Sequence, residues 1–323
     1  MPKVFVTRQI PEAGIKMLRE AGYEVTVSDF DGVLPREQLL EKVKGVDAIL
    51  SLLTDKIDSE VMSAAGPQLK IVANYAVGYD NINLQDAAAH NVIITNTPDV
   101  LTESVAEHAI ALMFALAHRI VESDQFMRDG KYVGWAPMLF LGNDLAGKTL
   151  GLIGMGRIGA AVAKRMCDGF GMKILYFDKT RNEDLEKQYK MEYVALDTLL
   201  KNSDFISIHL PLTAETRHLI SAPQFKMMKK NAYLINTARG PIIDEAALVM
   251  ALKAGEIKGA GLDVYEMEPK MAEGLAELPN TVLTPHTASA TEETRGAMSE
   301  LAAKNIIAVL SGQPPITPVK LGN

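Results

Sequence analysis

The sequence predicts an α/β protein built on two parallel sheets, each covered by helices on both faces. Three observations point there. Short β-branched runs alternate with helical patterns from the first residues. A second alternating set begins at Thr149, headed by the glycine loop "GMGRIG". A chain of 323 residues is too long for one typical domain and suits two.

In the first set, "VFVT" (Val4–Thr7) reads as a strand. "PEAGIKMLREAG" follows as a helix, with Pro11 early and Gly22 past its end. "YEVTVS", "DAILSLL", "KIVANY" and "VIITN" are further strands, separated by helical stretches near 35–44, 58–65 and 83–90. One long helical segment, Thr102–Arg128, leads into the second set. There the strands are "TLGLIG", "MKILYFD", "DFISIHL", "AYLINT", "IKGAGLDV" and "TVLTP", with helices near 157–169, 196–201, 222–229 and 244–253. A last helix runs from Thr291 to about Leu310, and "GQPPITP" ends it.

Composition narrows the class. Hydrophobic residues make up 48%, enough for a sizeable core. The net charge is −7 and no Lys/Arg cluster stands out, which argues against nucleic acid as a partner. The single Cys167 rules out a disulfide within the chain, argues against a cysteine-based metal site, and is expected to be a small buried hydrophobe. The N-terminus lacks a secretory signal, and the apolar run Ala109–Ala117 is too short to span a bilayer. A reduced, cytoplasmic protein with no metal and no membrane association is expected.

The glycine loop carries the first functional signal. Gly154, Gly156 and Gly159 follow the apolar "LGLI" and precede a helix of small residues; Asp178 ends the next strand, 19 residues after Gly159. Gly154 permits the tight turn, Gly156 lets a phosphate approach the backbone, and Gly159 lets helix and strand pack closely. The free N–H groups at the helix start bind a pyrophosphate. Asp178 accepts from the adenosine ribose hydroxyls, which favours NAD; Lys179 and Arg181 beside it leave NADP possible.

Polar residues at strand ends carry the second signal. Arg239 follows an apolar strand and precedes Gly240-Pro241, where a guanidinium grips a carboxylate with two parallel hydrogen bonds. In "GAGLDVYEMEP", Asp263, Glu266 and Glu268 crowd one loop; Glu266 reads as a solvated acid, and Glu268 gains weight only through a partner. His286 follows a strand and a proline, and a histidine suits reversible proton transfer near neutral pH. His90, His108, His118, His209 and His218 read as structural.

With these residues in place, the chain resembles the NAD(P)-dependent D-2-hydroxyacid dehydrogenase family over essentially its whole length. "GLIGMGRIG", "HLPLTAETRHLI", "LINTARGPIIDEAAL", "GAGLDVYEMEP" and "LTPHTASAT" are similar to the family's successive signatures, in order. "LLTDKID", "IVANYAVGYDNI", "TNTPDVLTE" and a tryptophan before "FLGNDLAGKTLG" resemble its glyoxylate/hydroxypyruvate reductase branch.

The resemblance implies a Rossmann cofactor domain, residues 100–286, inserted into a flavodoxin-like substrate domain, residues 1–99 and 287–323. It implies that Arg239 binds the substrate carboxylate and keto oxygen, that His286 is the general acid/base, and that Glu268 pairs with it. Backbone N–H groups of Val77 and Gly78 hold the carboxylate; Leu53 and Ser289 line the pocket. Thr102, Met155, Arg157, Ile158, Pro211, Thr216, Thr237, Ala238 and Asp263 line the cofactor. Trp135 reaches into a partner subunit's site, which implies a homodimer. The implied reaction is reduction of a small 2-keto acid to the D-2-hydroxy acid, with water excluded when the two domains close. Thr287 and Ala288 depart from the family's Ile and Gly beside the nicotinamide, and Ser289 also reads as opening a capping box with Glu292. The alternatives are a phosphoglycerate or D-lactate dehydrogenase of the same family and a non-catalytic NAD-sensing corepressor. The phosphoglycerate reading is weakened because the chain ends at Asn323 without a regulatory domain, the corepressor reading because Arg239, Glu268 and His286 are all retained.

Overall fold

Alternating β-branched and amphipathic segments fold into two parallel sheets, described for residues 1–320 in a computed structural model. The chain divides into two compact units, Met1–Leu101 with the segment from Ala290 onward, and Thr102–Ser289. The second unit therefore keeps Thr287–Ser289, three residues beyond the expected crossing, and begins at Thr102 rather than residue 100.

In the first unit, strands β1 (Lys3–Val6), β2 (Glu24–Val27), β3 (Ala48–Ser51), β4 (Ile71–Asn74) and β5 (Ile93–Thr95) form a parallel sheet in the order β2-β1-β3-β4-β5. Every residue of β3 and β4 is buried, as a strand covered on both faces requires. The helices between the strands are α1 (Glu12–Glu20), α2 (Arg36–Lys42), α3 (Ser59–Ala65) and α4 (Leu84–Ala89). Helix α12 (Glu292–Leu310) returns to this unit and lies against α1. The approach is close: a Cβ on Gly14 would meet the Ser299 carbonyl at 2.2 Å, and Ser299 Oγ donates to the Pro11 carbonyl at 2.7 Å. The N-cap of α12 is Thr291, whose side chain accepts from Thr294 N, so the capping box expected at Ser289 is not formed.

The second unit holds a seven-stranded parallel sheet in the order β12-β11-β10-β9-β6-β7-β8. Its strands are β6 (Thr149–Ile153), β7 (Lys173–Phe177), β8 (Glu192–Tyr193), β9 (Phe205–Ile208), β10 (Tyr233–Asn236), β11 (Gly259–Leu262) and β12 (Thr281–Leu283). Strand order reverses at β6, and the loops after β6 and β9 leave the carboxyl edge on either side of that switch point, the place where open α/β sheets bind ligands. The intervening helices are α7 (Arg157–Phe170), α8 (Glu183–Tyr189), α9 (Leu196–Asn202), α10 (Ala222–Met227) and α11 (Glu245–Ala254).

The segment expected as one helix over Thr102–Arg128 is two, α5 (Thr102–Ala117) and α6 (Ile120–Arg128), bent by 63°. Arg119 at the break has φ +54°, a left-handed conformation that cannot continue a right-handed helix. No glycine or proline marks it in sequence. Among the described residues no single helix is long and apolar enough to cross a membrane. Cys167 lies on α7, half-buried rather than fully so, its thiol 3.5 Å from the Tyr189 carbonyl.

Candidate active site

The loops after β10, β11 and β12 leave adjacent parallel strands at one edge of the larger sheet, and each brings a polar group. Arg239 stands after β10 in extended conformation. Asn236 pins its backbone, donating from Nδ2 to the Arg239 carbonyl at 2.9 Å. The following Gly240 leaves no room for a side chain: a Cβ there would meet the Tyr265 backbone at 1.9 Å. The Arg239 turn and the loop after β11 therefore touch backbone to backbone.

Glu268 projects from that loop. Its Oε1 accepts from Tyr265 N at 3.0 Å, and its Oε2 lies 2.9 Å from His286 Nδ1. Burial works to raise its pKa, but the hydrogen bond and charge of His286, the Tyr265 N–H and the charge of Arg239 outweigh it and hold the carboxyl below its usual range. With Nδ1–H committed to Glu268, Nε2 is the ring atom placed to exchange a proton. His286 has φ +55°, strained for a residue with a Cβ, and its N–H donates to the Asp263 carbonyl at 2.8 Å.

Asp263, fully buried, organises this strained loop. Its Oδ1 accepts from Thr284 Oγ1 at 2.6 Å and Thr287 N at 2.7 Å, its Oδ2 from Ala288 N at 2.8 Å. Burial opposes its ionisation, and these donors with His108 more than offset it, lowering the pKa. His108 Nε2 lies 3.0 Å from Thr284 Oγ1 and 3.4 Å from Asp263 Oδ1, so a histidine expected to be structural braces the site. His209 Nε2 lies 2.9 Å from Ser207 Oγ, and burial pushes its pKa down to about 4.

The glycine loop fits a dinucleotide. Gly154 has φ +103° and faces the His209 carbonyl; a Cβ on Gly159 would meet the Gly154 carbonyl at 2.2 Å. Gly156 differs: a Cβ would meet nothing within 4 Å and its φ is negative, so neither packing nor backbone requires glycine there. The start of α7 is therefore bare backbone with open space in front of it, which leaves room for a ligand to approach. Asp178 Oδ2 accepts from Met155 N at 2.7 Å, tying the acid to the loop. Thr216 Oγ1 donates to the Pro211 carbonyl at 2.8 Å, and Ala238 N donates to Asn236 Oδ1 at 3.0 Å. Thr237 Oγ1 is buried without a hydrogen-bond partner, as a group awaiting a ligand would be. Thr102 opens α5, and Arg157 and Ile158 open α7. Among the described residues no cluster of metal-ligating side chains exists.

The family model for the D-isomer specific 2-hydroxyacid dehydrogenase NAD-binding domain matches residues 110–288. The chain belongs to the D-isomer specific 2-hydroxyacid dehydrogenase family. A glyoxylate reductase of Thermococcus litoralis is 54% identical over 97% of this chain and 95% of its own. A crystal structure of a protein from Thermus thermophilus superimposes with TM-score 0.92 at 44% identity, covering 98% of this chain and all of that one. An NADPH-dependent glyoxylate/hydroxypyruvate reductase from Sinorhizobium meliloti, in complex with NADP and malonate, superimposes with TM-score 0.86 at 37% identity, covering 99% and 97%.

Of the other expected residues of this dehydrogenase, Leu53, Val77 and Gly78 lie in the first unit, and Trp135 and Ser289 in the second. Leu53 stands after β3, and Val77 and Gly78 after β4. Asn96 Nδ2 donates to the Val77 carbonyl at 2.8 Å and Asn74 Nδ2 to that of Gly78 at 2.9 Å. Asp55 anchors the Leu53 loop by accepting from Thr7 Oγ1 at 2.5 Å and Leu52 N at 2.8 Å; burial raises its pKa despite both bonds. Trp135 is 83% exposed, in a stretch without helix or strand that also exposes Val133, Met138 and Leu141. Ser289 ends the second unit.

Sequence reasoning missed His108, Asn96 and Asp55, whose partners Thr284, Val77 and Thr7 lie farther off along the chain, and Asn74, whose partner Gly78 is four residues on. Glu266 was misjudged. Its carboxylate is engaged, with Oε1 at 2.6 Å from His218 Nε2 and Oε2 accepting from Glu245 N at 3.3 Å.

Proposed function

We propose that this dehydrogenase reduces glyoxylate and hydroxypyruvate to the 2-hydroxy acids, of D configuration where the new centre is chiral. The observation that carries the reading is the Glu268–His286 pair beside Arg239, at the sheet edge that also bears the glycine loop. When bound, the reduced nicotinamide supplies the hydride. Arg239 grips the substrate carboxylate and polarises the keto oxygen. His286, protonated, gives its Nε2 proton to that oxygen. Glu268 orients the ring through Nδ1 and stabilises the imidazolium, and acid–base catalysis of this kind contributes about 10²–10⁴-fold. Backbone N–H groups of Val77 and Gly78 bind the carboxylate, and Leu53 and Ser289 shape the pocket. Thr102, Met155, Arg157, Ile158, Pro211, Thr216, Thr237, Ala238 and Asp263 serve the cofactor.

NADH is the proposed cofactor, with NADPH a weaker competitor. Asp178 suits a ribose hydroxyl and repels a 2′-phosphate. Of the two cations that could answer that phosphate, Arg181 donates from Nε and Nη2 to Glu186 at 2.8 and 2.7 Å, and Lys179 Nζ lies 3.8 Å from Glu215. The exposed Trp135 segment supports a homodimer.

A panel of glyoxylate, hydroxypyruvate and pyruvate, each with NADH and NADPH, tests the reading through the absorbance of the reduced nicotinamide. The first two should be consumed faster than pyruvate, and faster with NADH. No decay with any 2-keto acid would leave a binding protein instead.

A further inference from the structure

Glu245 is a carboxylate only 4% exposed, at the first position of α11, six residues after Arg239. A buried carboxylate must find donors. Glu245 finds both on the loop that carries Glu268. Its Oε2 accepts from Glu266 N at 2.6 Å and its Oε1 from Ala272 N at 2.7 Å. The bond is returned: Glu245 N donates to Glu266 Oε2. The two pinned amides lie two residues before Glu268 and four after it, so Glu245 clasps the base of the loop and Glu268 projects from its tip. Within the loop Lys270 N donates to the Met267 carbonyl at 2.9 Å, and Tyr265 N feeds Glu268 itself.

We propose that Glu245 is a positioning residue for the reaction: it sets where the Glu268 carboxylate stands and thereby how His286 is oriented. The inference rests on the reading of Glu268 and His286 given above. Arg239 lies six residues before Glu245, so the clasp joins the segment that carries Arg239 to the loop that carries Glu268. Replacing one Glu245 oxygen by an amide puts a donor against a backbone donor and loosens one side of the loop.

The test is a double-mutant cycle between Glu245→Gln and Glu268→Gln, with kcat and KM for glyoxylate and the dissociation constant for NADH measured on each. Glu245→Gln should lower kcat about ten- to a hundredfold, the scale of a 1 Å misplacement, with KM and NADH affinity within about twofold of wild type. In the Glu268→Gln background it should cost less than about twofold more. The same loss in both backgrounds, or a loss confined to KM, overturns the inference and leaves the reading of Glu268 standing. A fully active Glu268→Gln enzyme overturns both. Should Glu245→Gln fail to fold, Glu245→Asp keeps both acceptors but withdraws them by one methylene, and carries the same cycle with the same outcomes.

Discussion

Glu268 Oε2 and His286 Nδ1 stand 2.9 Å apart on loops that leave the adjacent parallel strands β11 and β12. Each is held by a separate backbone bond, from Tyr265 N to Glu268 and from His286 N to the Asp263 carbonyl. The pair is therefore preorganised by the fold, and what it does can be tested one bond at a time.

Glu268→Gln keeps the shape and removes the charge opposite the imidazole. Reduction should slow by about 10²-fold, mostly in kcat. The substitution should also change acid sensitivity. The folded carboxyl lies below its ordinary 4.5, so its ionised form contributes stability present above that value and lost as pH falls through the lower folded one. Denaturant titrations at pH 7 and just below pH 4 should show wild type losing more stability than the variant. Equal losses would mean that the pair is not formed in solution.

Gly156→Ala and Gly159→Ala should fail in different ways. The first meets open space, so the protein should unfold at the same denaturant concentration while NADH affinity falls at least about tenfold. The second drives a Cβ to 2.2 Å from the Gly154 carbonyl, and stability itself should fall. Unchanged NADH affinity in Gly156→Ala would remove the phosphate from that position.

Asp178→Asn removes the charge that discriminates against a 2′-phosphate but retains an acceptor for Met155 N. The ratio of kcat/KM with NADPH to that with NADH should rise about tenfold or more, since 1.4 kcal/mol of lost repulsion is enough for that. A ratio unmoved by the substitution would assign cofactor choice elsewhere.

Trp135→Ala addresses assembly. An 83% exposed indole flanked by exposed Val133, Met138 and Leu141 has the character of an interface anchor. Sedimentation velocity should show a dimer for wild type and a concentration-dependent shift toward monomer for the variant. A monomeric wild type at micromolar concentration would reject the homodimer.

Much of the fold and of the cofactor loop is legible in the sequence. The strand–helix alternation placed the sheets, because buried parallel strands must be continuous β-branched runs and their crossovers must be helical. The glycine loop and Asp178 were legible because a dinucleotide constrains spacing along one short βαβ unit. Residues whose meaning comes from a distant partner were not. His108 acts through Thr284, Asn96 through Val77, and Glu245 through amides on a loop that only folding brings near. The break at Arg119 was hidden for another reason: an arginine in the left-handed region carries no local signature, unlike the glycine that usually occupies it.

The central claim is that His286 delivers the proton in reduction of a 2-keto acid, and one comparison tests it most directly. Purified wild type and His286→Asn are each mixed with NADH and glyoxylate, and nicotinamide oxidation is followed after NADH affinity has been shown equal in the two. Wild type should consume NADH one for one with glyoxylate, and the variant should be slower by about 10²–10⁴-fold. Equal rates in the two proteins would contradict the account.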